Sequence, residues 1–354
     1  MQAELIEEAR RQAEICNACR YCEGYCAVFP ALHRERAFAD GDLTQLANLC
    51  HNCRGCYYAC QYTAPHEFDV NLPKALAELR QASWEDVAWP KPLARLFQKS
   101  GVAIAIAAVI GFALLLSAIR MLGPAGGDGF YAVMSHGAMV AIFLPAFLLP
   151  MVSLAISLRR YWRGAGGGRV TLAAIMAAFR SAADMKNLAG GHGDGCNFED
   201  EDRFSQARRI AHQAVMYGFL LCFLSTISGT VLHYLLDAPA PYGFWSLPKL
   251  LGVPGGLLMN VGSVWLVLLK LRAERHLGAA GAFGGEMAFI LLLLFVAISG
   301  LALYWLGATA LMPMLLALHL GAVLSFFLLT PFTKMAHGFY RMAALILEES
   351  KRGT

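Results

Sequence analysis

Eight of the ten cysteines lie between Cys16 and Cys60 and follow one spacing twice. Each run has the form C-x2-C-x2-C-x3-C, and the two runs end at Cys26 and Cys60. A [4Fe-4S] cluster needs four thiolates, and three cysteines spaced in this way can supply three of them from one compact loop. In two-cluster ferredoxins the fourth cysteine of each run binds the other cluster. We therefore predict two clusters with crossed ligands: Cys16, Cys19, Cys22 and Cys60 for one, and Cys50, Cys53, Cys56 and Cys26 for the other.

Disulfides and zinc sites are the alternative uses of such dense cysteines. The chain starts with alternating acidic and basic residues and has no apolar core typical of a secretory signal, so we expect a reducing cytosol, where disulfides are rare. A C-x2-C pair also suits tetrahedral zinc, but two identical four-cysteine frames favour clusters. The runs depart from the common bacterial pattern at Ala27 and Gln61, which stand where proline usually follows the fourth cysteine.

Helical segments flank both cysteine runs. The segment ELIEEARRQAEI precedes the first run, DLTQLANL leads into the second behind a cap at Asp40 or Asp42, and LPKALAELRQA follows it. We predict that residues 1–90 form an α-helical ferredoxin domain with two [4Fe-4S] clusters. Because each cluster already has four cysteines, we expect structural or surface roles for three nearby histidines: His33, His51 and His66.

The rest of the chain is too apolar for a soluble domain. Hydrophobic residues make up 57% of the chain and charged residues 15%, against about a quarter charged in soluble domains. The net charge of +4 gives no sign of a nucleic-acid partner. We predict that residues 91–354 form a haem-binding transmembrane bundle, since a span needs about 20 apolar residues. The six predicted spans are 101–120, 132–158, 211–236, 251–271, 286–306 and 312–333, with a cytosolic loop at 159–210.

Lysine and arginine are distributed unevenly among the connections between these spans. The loop 159–210 has nine, the segment 270–286 has three and the tail has four, whereas the opposite connections hold only Arg120 and Lys249. Cytoplasmic loops of membrane proteins carry the excess of positive charge. We therefore predict a multi-pass protein of the cytoplasmic (inner) membrane, with both termini and the iron-sulfur domain in the cytosol.

Histidines inside or beside the spans are candidate haem ligands, because an ionisable residue in lipid is costly and usually functional. His212 and His233 lie near opposite ends of the third span, and about five helical turns separate His319 from His337. Facing helices that each carry two such histidines indicate two b-type haems. We predict His212 with His337 on the cytosolic side, and His233 with His319 on the outer side, where His136 is the competing ligand.

The long loop carries two further features. RVTLAAIMAAFRSAADMKNL has the pattern of an interfacial amphipathic helix. The glycine-rich segment GGHGDGCNFEDED follows it, and its His192 and Cys196 could bind a metal, although a docking loop is the simpler interpretation. No C-x2-C-H sequence is present, so covalent haem is not expected.

The motifs CRYCEGYC, CHNCRGCYYAC, QYTAPHEF and GGHGDGCNFEDED together resemble those of the tricarballylate-utilisation protein B family, the CitB-type membrane proteins. The resemblance covers nearly the whole chain and extends to the C-terminal half of a flavoprotein fusion of cobalamin synthesis. It implies a protein that reoxidises the FADH2 of a partner dehydrogenase, acting on tricarballylate in the named case. Electrons would then pass through iron-sulfur clusters and haem to the quinone pool.

Two other functions remain open at this point. The flow of electrons could be reversed, which would make the chain a quinol-oxidising subunit of a reductase complex. The clusters could instead serve a redox-sensing membrane protein, although eight cluster ligands with several intramembrane histidines argue against that. In the favoured interpretation the protein is an electron-transfer subunit of an oxidoreductase system. Its partners are then a cytosolic FAD-dependent dehydrogenase, membrane quinone and the lipid bilayer.

Overall fold

The computed structural model describes residues 2–122, 131, 133–190, 193–199, 203–238 and 240–352. Over these ranges the chain is helical and has no β-strand beyond one isolated bridge between Cys196 and Ser205, which confirms the predicted all-α class. The α-helices of the described ranges are α1 (Gln2–Cys19), α2 (Val28–Arg34), α3 (Asp40–Leu49), α4 (Gly55–Tyr58), α5 (Leu72–Val87), α6 (Lys91–Leu122), α7 (His136–Gly164), α8 (Leu172–Ala183), α9 (Ala207–Leu235), α10 (Leu247–Arg272), α11 (Phe283–Leu306), α12 (Met312–Leu329) and α13 (Ala336–Arg352).

Six helical segments in the described part of the chain are long and apolar enough to cross a membrane. The first begins at Ser100, where the non-helical backbone (φ −140°, ψ 33°) separates it from the start of α6. The second, α7, remains one helix although it contains Pro145 and Pro150. The six segments are Ser100–Met121, His136–Gly164, Ala207–Leu235, Leu247–Arg272, Ala280–Leu306 and Met312–Phe332, as expected of a multi-pass membrane protein.

The N-terminal region, here called the head (residues 2–87), packs on the C-terminal helix. Helices α1, α3 and α5 contact one another, and their apolar side chains share one core with α13. Both carboxylate oxygens of the buried Glu348 on α13 accept hydrogen bonds from Arg34 on α2. Gln45 on α3 donates to the carbonyl of Ala344 at 2.8 Å. The head is therefore joined to α13 by packing and by buried polar contacts.

The α9 and α10 helices pack more closely than side chains would normally permit. A Cβ atom at Gly218 would lie 2.7 Å from the carbonyl oxygen of Gly255, and one at Gly262 would lie 2.8 Å from that of Ala211. Small residues at such positions allow helix backbones to approach within a membrane. The other long helices are arranged around this pair: α11 contacts α10, and α12 contacts α6, α7 and α11.

Two loops hold the second cysteine run against one end of the bundle. Asn52 donates to the carbonyl of Leu277, at 2.8 Å, in the connection between α10 and α11. Arg54 donates to the carbonyls of Glu274 at 2.6 Å and Phe198 at 2.9 Å. We call this end of the bundle the head side and the opposite end the far side.

Candidate functional site

The first group of cysteines lies at the surface of the head. Cys16 and Cys19 occupy the last turn of α1, and with Cys22 and Cys60 they line a cavity of about 860 Å³. Cys56 also reaches its wall. Burial raises the pKa of Cys16 to about 12, and the nearby Cys60 and Cys22 thiols contribute to the rise. The thiol group of Cys19 is exposed. We call Cys16, Cys19, Cys22 and Cys60 the surface set.

The second group lies deeper, between the head and the bundle. Cys50 caps the C-terminus of α3. Cys26 precedes α2, where backbone N–H groups of Val28 and Phe29 reach its sulfur. Burial raises the pKa of Cys26 well above its usual range, and the nearby Cys53 and Cys50 thiols add to the rise. Burial also raises the pKa of Cys56, and the Cys53 thiol adds to that rise. We call Cys26, Cys50, Cys53 and Cys56 the bundle-side set.

The structure therefore brings the eight cysteines together in the two groups that crossed ligation requires. Each group joins three cysteines of one run to the last cysteine of the other. Within the described residues, no three side chains of the ligand types His, Cys, Asp and Glu converge closely enough for a single metal ion. A tetrahedral zinc ion needs sulfur atoms about 2.3 Å from one point. A cubane binds each cysteine at a different corner.

One cysteine outside the runs contacts the bundle-side set. Cys196 is buried against Cys53, and its hydrogen bond lowers the pKa of Cys53 to about 6 against the opposing effect of burial. The neighbouring N–H of Asn197 donates to the carbonyl of Cys53 at 3.0 Å. The sequence suggested Cys196 as a metal ligand with His192, although a docking loop was the simpler interpretation, and His192 lies outside the described residues. The real neighbour of Cys196 is more than a hundred positions away, so no local spacing could have revealed it.

The first predicted histidine pair lies on the head side. The ring centroids of His212 on α9 and His337 on α13 are 5.8 Å apart, and the rings are nearly perpendicular at 81°. Nδ1 of His337 hydrogen-bonds the carbonyl of Lys334, so this nitrogen carries the proton and Nε2 has its lone pair available. Burial, followed by His212 and Lys334, holds the pKa of His337 well below its usual range. A lowered pKa favours the neutral imidazole, which is the form that binds metals.

Both histidines line one large cavity between the head and the bundle. It encloses about 2130 Å³, part of it open to solvent. Phe219 and Phe289 belong to its apolar wall. Lys270 and Lys334 both contact Glu286 on another side. The remaining cationic lining residues are Arg54, Arg80, Arg208, Arg275 and Arg341. A mainly apolar cavity with cationic side chains in its lining is compatible with a large apolar ligand that carries acidic groups.

His51 also lines this cavity, although sequence reasoning gave it only a structural or surface role. Its Nδ1 lies 2.8 Å from the carbonyl of Leu49, and burial holds its pKa well below the usual range. His51 directly follows Cys50. The bundle-side set and the histidine cavity therefore share a wall. The signal available in the sequence was its position between two cysteines of one run.

The far side is arranged differently from the prediction. The rings of His136 and His233 lie 4.1 Å apart at 31°, and Nε2 of His136 is 2.7 Å from the hydroxyl of Tyr234. His319 instead lies against α11, with Nδ1 3.1 Å from the hydroxyl of Ser299. The structure thus places His136 next to His233, whereas the sequence favoured His319. His136 is the first residue of α7, and the start of this helix lies beside the end of α9 that carries His233.

Comparison with known proteins identifies the family. The family model for citrate utilization protein B matches residues 89–354, and the model for its Fer4-like domain matches residues 9–86. The Escherichia coli protein named citrate utilization protein B is 41% identical to this chain, over 98% of this chain and 93% of that protein. No solved structure matches the chain. The family that the motifs resembled is confirmed: this chain belongs to the citrate utilization protein B family.

Proposed function

We propose that this protein takes electrons from a flavoprotein dehydrogenase and passes them to membrane quinone, through two [4Fe-4S] clusters and b-type haem. The observation that carries the proposal is the shared wall between the bundle-side set and the cavity of His212 and His337. His51, next to Cys50, lies in that wall. When bound, the clusters and haem would supply one-electron carriers. The role of the chain is to hold them close together in a fixed order.

The surface set supplies the entry point. Cys19 is exposed, and Tyr21 beside it is 69% exposed, so a partner could approach this set directly. Oxidation of FADH2 in the partner releases two electrons and two protons. Reduction of a quinone to a quinol consumes two electrons and two protons. The electrons would enter singly at the surface set and leave toward the membrane.

The head-side cavity fits b-type haem. His212 and His337 would hold the haem iron, and the carbonyl of Lys334 orients the ring of His337 so that its Nε2 is available. Phe219 and Phe289 would cover the ring system, and Arg208 offers a charge for a propionate. The far-side histidines His136 and His233 are the candidates for a second haem.

The partner and the location belong to the same proposal. The Escherichia coli relative is named for citrate utilization, and we propose a partner that oxidises a related tricarboxylate such as tricarballylate. The protein would lie in the cytoplasmic membrane with the head in the cytosol. The lysine and arginine excess in the loops on the head side supports this orientation.

The first experiment tests the clusters in the purified full-length protein. Two cubanes require about eight iron atoms and eight sulfides per chain. With crossed ligation, Cys60→Ser should remove the same EPR signal as Cys16→Ser, and Cys26→Ser the same signal as Cys50→Ser. Cys222→Ser, in a span, is the control and should retain both. If each of the four serine variants lost the same EPR signal, that result would contradict two separate clusters.

The second experiment tests the flow of electrons. Reduced flavoprotein partner should shift the haem absorbance of the purified protein to the reduced form, and a quinone analogue should then reverse the change. Haem that neither partner nor quinone affects would favour a sensing function instead.

A further inference from the structure

The two cysteine sets differ in the charge that surrounds them. The carbonyl of Cys50 accepts a hydrogen bond from Arg80 at 2.6 Å and another from Arg341 at 2.6 Å. Arg208 donates to the carbonyl of Asn52 at 2.8 Å, and Arg54 lies within the same loop. Four guanidinium groups thus surround the loop of the bundle-side set.

Among the described residues, these cations have few acidic neighbours. Arg54 is 4% exposed and Arg80 7% exposed, so water screens them weakly. Within the described residues, none of the four arginines forms an ion pair with a carboxylate. The acidic groups that act on Arg54 most directly are Glu274 and Glu199. Arg54 and Arg208 instead lie over the two faces of the Phe198 ring, at 4.7 Å and 4.0 Å from its centroid.

Among the described residues, no buried arginine is hydrogen-bonded to the loop of the surface set. The arginine closest to it in sequence, Arg20, lies between Cys19 and Cys22 but is exposed and donates to the carbonyl of Asn17 at 3.2 Å. Glu23, in the same run, is exposed and lies 3.5 Å from His33. Charges in contact with water act weakly over such distances. Within the described part of the chain, the surface set therefore has fewer buried cations beside it than the bundle-side set.

A [4Fe-4S] cluster gains one negative charge when it accepts an electron, so a buried cation stabilises its reduced form. We propose that Arg80 and Arg341 raise the reduction potential of the bundle-side cluster above that of the surface cluster. This inference rests on the proposed function, and it fixes the direction that the sequence left open. One electron leaves the reduced surface cluster and reduces the oxidised bundle-side cluster, with no change of ligands or protons.

Arg341 is also placed to connect the cluster with the next carrier. It lies one helical turn after His337 on α13, and both line the head-side cavity. Its guanidinium donates to the carbonyl of Cys50 and lines the same cavity as His337, the proposed haem ligand. We class Arg80 and Arg341 as positioning residues, because they act on the potential and bind no iron.

The test is a redox titration of the full-length protein followed by EPR, with the two signals assigned by the serine variants above. In the wild type, the bundle-side cluster should be reduced first. Arg341→Gln and Arg80→Gln should each shift the equilibrium constant for electron transfer between the two clusters at least tenfold toward the reduced surface cluster. A tenfold shift equals about 59 mV for a one-electron couple. Arg341→Lys keeps the charge and should restore most of the difference. The control Arg20→Gln should move it far less.

Several outcomes would overturn the inference. A wild type in which the surface cluster is reduced first, or in which both are reduced together, contradicts it without any variant. Equal shifts in Arg341→Lys and Arg341→Gln would assign the effect to packing rather than charge. Iron and sulfide content is measured in each sample, so loss of a cluster is distinguished from a shift. A wild type with fewer than two clusters would refute the proposed function itself.

Discussion

The two ends of the membrane bundle carry histidines in different states. On the head side, His212 and His337 are nearly perpendicular and line a cavity, and the protonated nitrogen of His337 is fixed by a backbone carbonyl. On the far side, His136 and His233 lie against each other, and Nε2 of His136 contacts Tyr234. A ligand can bind the head-side pair with little rearrangement. At the far side it must first separate two rings and break a hydrogen bond.

The largest expected effect is loss of the head-side haem. His337→Ala and His212→Ala should each abolish its absorbance, because a b-type haem is held here only through its axial ligands and its pocket. The control is His276→Ala, since that side chain is 63% exposed in the α10 to α11 connection. Haem content is measured by difference spectra of the purified protein. An unchanged spectrum in both variants would remove the head-side pair from the assignment.

The second prediction separates the two versions of the far side. If a second haem is present, His136→Ala should remove it and His319→Ala should not, because the structure places His136 beside His233. The head-side signal should be preserved in both variants and serves as the internal control. The opposite result would restore the pairing of His233 with His319 that the sequence favoured.

A smaller effect is expected from the contact between the head and α13. Glu348→Ala leaves Arg34 without its partner, and breaking a buried pair costs about 3 kcal/mol, reduced to about 2 kcal/mol because Arg34 is partly exposed. On heating, the cluster absorbance should be lost at a lower temperature than in the wild type. The far-side histidines, His136 and His233, should be unaffected. Glu349→Ala is the matched control, since its pair with Arg352 lies at the surface. Equal effects of both variants would show that the buried pair is not special.

Local spacing predicted much of this protein. Helix boundaries and spans follow from hydrophobic runs of bilayer length, and the two cysteine sets follow from a repeated spacing that the structure also brings together. The head-side pair was predicted from topology and from one continuous helix that carries His319 and His337, but the structure ends α12 at Leu329 and places His337 on the separate helix α13. These features depend on residues close in the chain or on which side of the membrane they lie.

Contacts between helices distant in sequence were not predictable in this way. Periodicity places His233 near the end of α9 but does not say whether α7 or α12 faces it. Cys196, His51 and Arg341 reach the cluster loop through packing of the long loop, the head and α13. A sequence pattern within one segment does not show which other segment packs against it, so the contacts of these residues could be found only from the structure.

The close approach of α9 to α10 has a consequence for biogenesis. The contact depends on glycines at Gly218, Gly255 and Gly262 and on no cofactor, and a short connection joins the two helices. We expect this hairpin to form as soon as both helices have left the translocon. It would present His212 and His233 at fixed separation while α12 and α13 are still being synthesised.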